Sequence, residues 1–136
     1  MSDGAVFVAL FLWATSRRDS VPTRRSEAER IALLSPAMRQ RLGELLGAIL
    51  AETGVLMIVG STVRTEAEQD ALLASGKSHA RGPRAPHVRG VAVDLYEPPG
   101  APTGTRELWH AIARRLGWFT FGPRSWDAVH AEWRGQ

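Results

Sequence analysis

The run Val91-Ala92-Val93-Asp94-Leu95 constrains this chain's fold more than any other stretch. In a strand, successive side chains point to opposite faces, so Val91, Val93 and Leu95 share one face and Ala92 and Asp94 the other. A carboxylate is thereby placed opposite three large apolar residues. The run Val55-Leu56-Met57-Ile58-Val59, ended by Gly60, is apolar throughout. It predicts a second strand, covered on both faces, with the preceding helix on one of them.

Helical signals flank these strands. Ser35 and Pro36 are a cap residue followed by proline at the first helical position. Leu42, Leu45, Leu46, Ile49 and Leu50 then recur as one stripe, and Gly54 is placed to end the helix. Thr65 to Ala74 predicts a second helix, with Thr65 and Glu68 in a capping-box pattern. A third helix is expected from a Thr105 cap to about Leu116, with Leu108, Ile112 and Leu116 as its stripe and Gly117 as its end. Glycine- and proline-rich loops, Ser75 to Pro86 and Pro98 to Gly104, separate these elements, and a tryptophan-rich section closes the chain. The order predicts an α+β fold, with helices packed on a small, mostly antiparallel sheet.

A length of 136 residues suits one domain with a sizeable core. Without cysteine, thiolate zinc sites, iron–sulfur clusters and a cysteine nucleophile are excluded. The net charge of +3 comes from 17 basic residues, all but Lys77 arginine, scattered among 14 acids. That pattern argues against nucleic acid as a partner and suits an anionic polymer such as a cell wall. The apolar run from Ala5 to Ala14 would rise only ~15 Å as a helix, half of a hydrocarbon core. It reads as an element packed on the domain or as a contact to a membrane or protein partner, with a weak export signal as the other reading. Residues 1–32 are accordingly taken as a hydrophobic N-terminal segment and polar linker, and residues 33–136 as the folded domain.

Two fragments carry the chemistry, His87-Val88-Arg89-Gly90-Val91-Ala92-Val93-Asp94 and Asp127-Ala128-Val129-His130-Ala131-Glu132-Trp133. Two histidines and one carboxylate, with a fourth position open, are a catalytic zinc set, here His87, Asp94 and His130. Zinc brings the pKa of water toward neutrality and polarises an amide carbonyl. Hydrolysis also needs a base that passes the proton to the leaving amine, and Asp127 is the candidate. Glu132 shares a strand face with His130 and reads as a support for it or as a substrate contact. Arg64 is placed to bind a substrate carboxylate or to stabilise oxyanion charge. His79 and His110 are read as non-catalytic.

These fragments, together with Ser61-Thr62-Val63-Arg64-Thr65, the helical Gln69 and Leu116-Gly117-Trp118, resemble the M15 family of zinc peptidases. That family comprises D-alanyl-D-alanine carboxypeptidases and dipeptidases and phage L-alanyl-D-glutamate endolysins. The resemblance covers roughly Leu33 to Trp133. It implies that His87, Asp94 and His130 hold zinc, that Asp127 is the general base, and that Arg64 lies near the attacked carbonyl. Ser61, Gln69 and Glu132 are implied as supporting or substrate-contacting residues. Ala85 departs from the family, which has serine or threonine two residues before the first histidine.

The implied activity is hydrolysis of peptidoglycan stem peptides, either between L-alanine and D-glutamate or at the terminal D-alanine. A monomeric catalytic unit in the periplasm or cell wall is expected, of host origin or phage-encoded and released at lysis. The reading from a different class is a zinc- or wall-binding structural module that keeps the fold without catalysis. The presence of Asp127 argues against it.

Overall fold

The computed structural model describes residues 25–76 and 85–134. The apolar run Ala5 to Ala14 and His79 lie outside the described residues. In chain order the elements are α1 (Glu27–Ala32), α2 (Pro36–Thr53), β1 (Ile58–Val59), α3 (Glu66–Ala74), β2 (Ala92–Tyr96), α4 (Thr105–Arg115), β3 (Trp118–Thr120) and β4 (His130–Trp133). The strands form one sheet, ordered β1-β2-β4-β3, and every neighbouring pair is antiparallel. This is the α+β arrangement the sequence predicts. Among the described residues no helix is long and apolar enough to cross a membrane.

α2 forms as expected. The Ser35 hydroxyl accepts from the Met38 N–H, Pro36 opens the helix, and Gly54 closes it at φ 73° with its N–H on the Leu50 carbonyl. Only glycine adopts that left-handed backbone without strain. Leu42, Leu45, Leu46 and Ile49 are buried against Val59, Val93, Leu95 and Ala131 of the sheet and Trp109, Ile112 and Ala113 of α4. Each such side chain stabilises the fold by ~1.5–3 kcal/mol through burial. α3 carries the expected capping box, with Thr65 and Glu68 bonded reciprocally.

Four expectations are corrected. The first strand is shorter than Val55 to Val59, covering only Ile58–Val59, although Val55 and Met57 are buried. α4 is capped by Gly104 at φ 92°; Thr105 is its first helical residue, and its hydroxyl donates to the Pro102 carbonyl at 2.6 Å. The buried stripe of α4 is Trp109, Ile112 and Ala113, while Leu108 and Leu116 are exposed. Both sets have helical spacing, and the larger apolar surface of the indole goes inward. Finally, the core reaches back beyond Leu33 into what reads as linker. Ile31 of α1 is fully buried, the Thr62 hydroxyl donates to the Arg30 carbonyl, and the Arg30 guanidinium donates to the Val59 carbonyl.

The register decides what each sheet face carries. Asp94 lies directly opposite His130, and Ala92 opposite Glu132. Val93, Leu95 and Ala131 therefore face the helices, and Asp94, Tyr96, His130 and Glu132 share the other face. Phe119 lies opposite Glu132 and joins that face.

Candidate metal centre

Asp94 and His130 meet because their strands pair in that register, but His87 arrives from a turn. The Gly90 N–H bonds the His87 carbonyl, the Val91 N–H bonds the Pro86 carbonyl, and Gly90 takes φ 74°. This left-handed residue reverses the chain just before β2, which is the physical role of the glycine in His-x-x-Gly. The turn is tied to the segment after β1 by the Arg64 N–H on the His87 carbonyl.

His87, Asp94 and His130 are all buried, and one ligating atom from each lies within 4.8 Å of the others. His87 Nε2 is 3.2 Å and His130 Nδ1 3.7 Å from Asp94 Oδ1. A tetrahedral zinc with bonds of ~2.0–2.1 Å has ligand–ligand edges of ~3.4 Å, so the spacing fits such an ion. The far nitrogen of each ring is also committed. His87 Nδ1 is 2.6 Å from the Thr62 carbonyl, an acceptor, so Nδ1 donates there and Nε2 is the nitrogen left facing Asp94. His130 Nε2 is 3.1 Å from Glu132 Oε1, which fixes the other tautomer and turns Nδ1 toward Asp94. Each imidazole thus turns its other nitrogen toward the carboxylate, as a donor to Asp94 when protonated and as a lone pair toward a metal when not.

The electrostatics are those of a site organised around charge. Burial works to raise the pKa of Asp94, but hydrogen bonds from His130 and His87 and the charges of His87 and Arg64 hold it well below the usual carboxylate range. Burial works to lower that of His130, and its bonds to Asp94 and Glu132 outweigh this and push it up. Asp127 is half-buried. Desolvation, then the Asp94 charge, raise its pKa against the opposing pull of His130, His87 and Arg64. Its Oδ2 lies 3.7 Å from His130 Nδ1. Three carboxylates crowded around two imidazoles in a cleft are costly to bury, which makes the group a candidate functional site.

All eight side chains singled out from sequence, Ser61, Arg64, Gln69, His87, Asp94, Asp127, His130 and Glu132, line one cleft of about 500 Å³. Arg64 is held in place rather than loose, with Nη1 donating to Gln69 Oε1 at 3.0 Å and Nη2 to Asp94 Oδ2 at 3.3 Å. Gln69 is fully buried and orients the guanidinium. Glu132 braces His130 and pairs with Arg134 at 3.3 Å. Ser61 contributes its carbonyl to the Asp94 N–H, which continues the β1–β2 pairing beyond Val59. Ala85 is buried beside the turn. His110 lies outside the cleft, its Nε2 2.7 Å from the Ala128 carbonyl and Nδ1 2.8 Å from Thr120 Oγ1.

Sequence reasoning missed the aromatic wall of the cleft. Tyr96, Phe121 and Trp126 line it, and all three are exposed. Of the tryptophans that close the chain, Trp118 is buried in the core, but Trp126 is 64% exposed. Strand parity offers the missing signal. Tyr96 is two residues after Asp94, and Phe121 is two after Phe119, on the same face. Gly60 leaves room for the Tyr96 ring, since a Cβ there would meet its Cε2 at 2.4 Å.

No protein-family profile and no curated protein sequence matches the chain. Among solved structures, the chain is similar to the L-Ala D-Glu endopeptidase ChiX of Serratia marcescens, with a TM-score of 0.56 at 21% identity. The match covers 79% of this chain and 86% of that one. At that identity the likeness establishes a shared α+β fold.

Proposed function

We propose that the chain is a zinc-dependent peptidase that hydrolyses peptidoglycan stem peptides. One observation carries the reading. The buried His87–Asp94–His130 group opens onto a cleft that also holds a carboxylate of raised pKa and a fixed guanidinium. A site that only stabilises the fold has no use for either at an open face.

Zinc held by the three residues would activate water and polarise the scissile carbonyl. The remaining work belongs to the chain. Asp127, its pKa raised by burial and by the Asp94 charge, takes a proton from the attacking water and delivers it to the departing amine. Arg64, braced by Gln69 and Asp94, sets positive charge where the carbonyl oxygen gains negative charge, without reorganising during the reaction. His87 and His130 keep their tautomers through Thr62 and Glu132. The shared fold with an L-Ala D-Glu endopeptidase supports peptidoglycan as substrate and favours that bond over the terminal D-alanine bond. The periplasm or wall is then the place of work.

The test is digestion of purified muropeptides followed by mass spectrometry, with chelated protein and zinc re-addition as controls. Cleavage that chelation abolishes and zinc restores is expected. Muropeptides retained intact by zinc-loaded protein would instead identify a wall-binding module.

A further inference from the structure

Among the described residues, the exposed aromatic side chains Tyr96, Phe121 and Trp126 all line the cleft of the proposed metal centre. Trp126 is 64% and Phe121 43% exposed, although indole and phenyl rings ordinarily contribute to folding by burial. The two ring centroids are 5.7 Å apart with a tilt of 37°, and Phe121 stands 5.4 Å from the His130 ring. The turn between them is fastened locally. The Ser125 hydroxyl and N–H both bond the Gly122 carbonyl, at 2.9 and 3.2 Å. The result is a preformed apolar wall that begins beside a proposed metal ligand and continues away from it into solvent. Such a wall is organised for a ligand rather than for the core.

We propose that Phe121 and Trp126 form a subsite for the sugar ring to which the stem peptide is joined; this rests on the peptidase reading above. The side chains of a stem peptide are methyls, carboxylates and an amine, and none has a flat apolar surface to set against an indole. The part of the polymer with such a surface is the glycan, where the C–H groups of a pyranose form a planar apolar face. The stem begins at L-alanine, whose amino end is joined to the sugar through a lactyl group.

An extended residue spans ~3.3–3.6 Å, so the ring lies about two residue lengths, ~7 Å, from the L-alanine carbonyl. That is the scale on which Phe121 and then Trp126 stand off from His130. A terminal D-alanine bond lies several residues farther from the glycan and would leave the wall empty.

The experiment compares kcat/KM for a disaccharide-linked stem peptide and for the same peptide without sugar, in the wild type, Trp126→Ala and Trp126→Phe. The wild type is expected to favour the sugar-linked substrate by about tenfold, the scale of one good ring contact, mainly through KM. Trp126→Ala should bring the ratio close to one, and Trp126→Phe should restore part of it. Because Trp126 is exposed, both variants should fold, which melting curves check. Equal use of both substrates by the wild type, or a preference that survives in Trp126→Ala, overturns the subsite and leaves the peptidase reading standing. Cleavage of neither substrate overturns both.

Discussion

Glu132 offers a test of how the centre is held, because it touches the proposed metal only through His130. Its Oε1 accepts from His130 Nε2 at 3.1 Å, and its side chain is 5% exposed. Glu132→Gln keeps an acceptor at that position but removes the negative charge that makes the imidazole a stronger donor. Glu132→Ala removes both, so the ring loses its tautomer lock and its orientation. Outer partners of metal-bound histidines are worth about 10–100-fold in affinity, and the two variants should bracket that range. The glutamine variant should lose about tenfold, ~1.4 kcal/mol, and the alanine variant nearer 100-fold, ~2.7 kcal/mol. Stability without metal should move little, because a buried carboxylate is removed and its partner Arg134, 49% exposed, regains water. Melting temperatures of the metal-free variants within ~5 °C of the wild type are expected, a change of about 1 kcal/mol. Competition with a chromophoric chelator at fixed pH gives the zinc affinities. Unchanged affinity in both variants would refute the idea that Glu132 orients His130 as a ligand.

Two further outcomes follow from the same geometry. Asp127→Asn should bind zinc as the wild type does and lose turnover on muropeptides by ~10²–10⁴-fold, the usual contribution of a positioned base; near-normal turnover removes Asp127 from that role. His110 is buried, and desolvation, partly countered by its bond to the Ala128 carbonyl, lowers its pKa from 6.5. Above that unfolded value both states are neutral and its contribution is complete. As pH falls below ~6.5 the unfolded chain binds a proton that the folded chain refuses, so stability is lost down to the folded pKa, at up to ~1.4 kcal/mol per pH unit. Urea midpoints measured from pH 8 to pH 5 should therefore fall more steeply for the wild type than for His110→Gln, and parallel curves contradict the assignment.

Much of the centre was legible because it depends on local pattern. Alternation in Val91 to Leu95 put Asp94 opposite the apolar face, and the same parity linked His130 with Glu132. The caps of α2 and α3 are likewise local chemistry, as is the glycine that turns the chain after His87. What escaped depends on partners distant in sequence. The exposed wall of Tyr96, Phe121 and Trp126 follows from strand register, and a tryptophan in isolation reads equally well as core. The α4 stripe had two helical solutions, and packing of Trp109 against α2 and the sheet selects one. α1 looks like a polar linker because its buried apolar side chains are only Ala28 and Ile31, while Arg30 is satisfied by Val59 across the fold.

The central claim is that His87, Asp94 and His130 hold one zinc. Elemental analysis of the purified chain and of His87→Ala, after identical dialysis, tests it most directly. About one zinc per chain in the wild type and loss of it in the variant is the predicted result. A wild type that takes up no zinc even after it is supplied, or a variant that keeps it, contradicts the account.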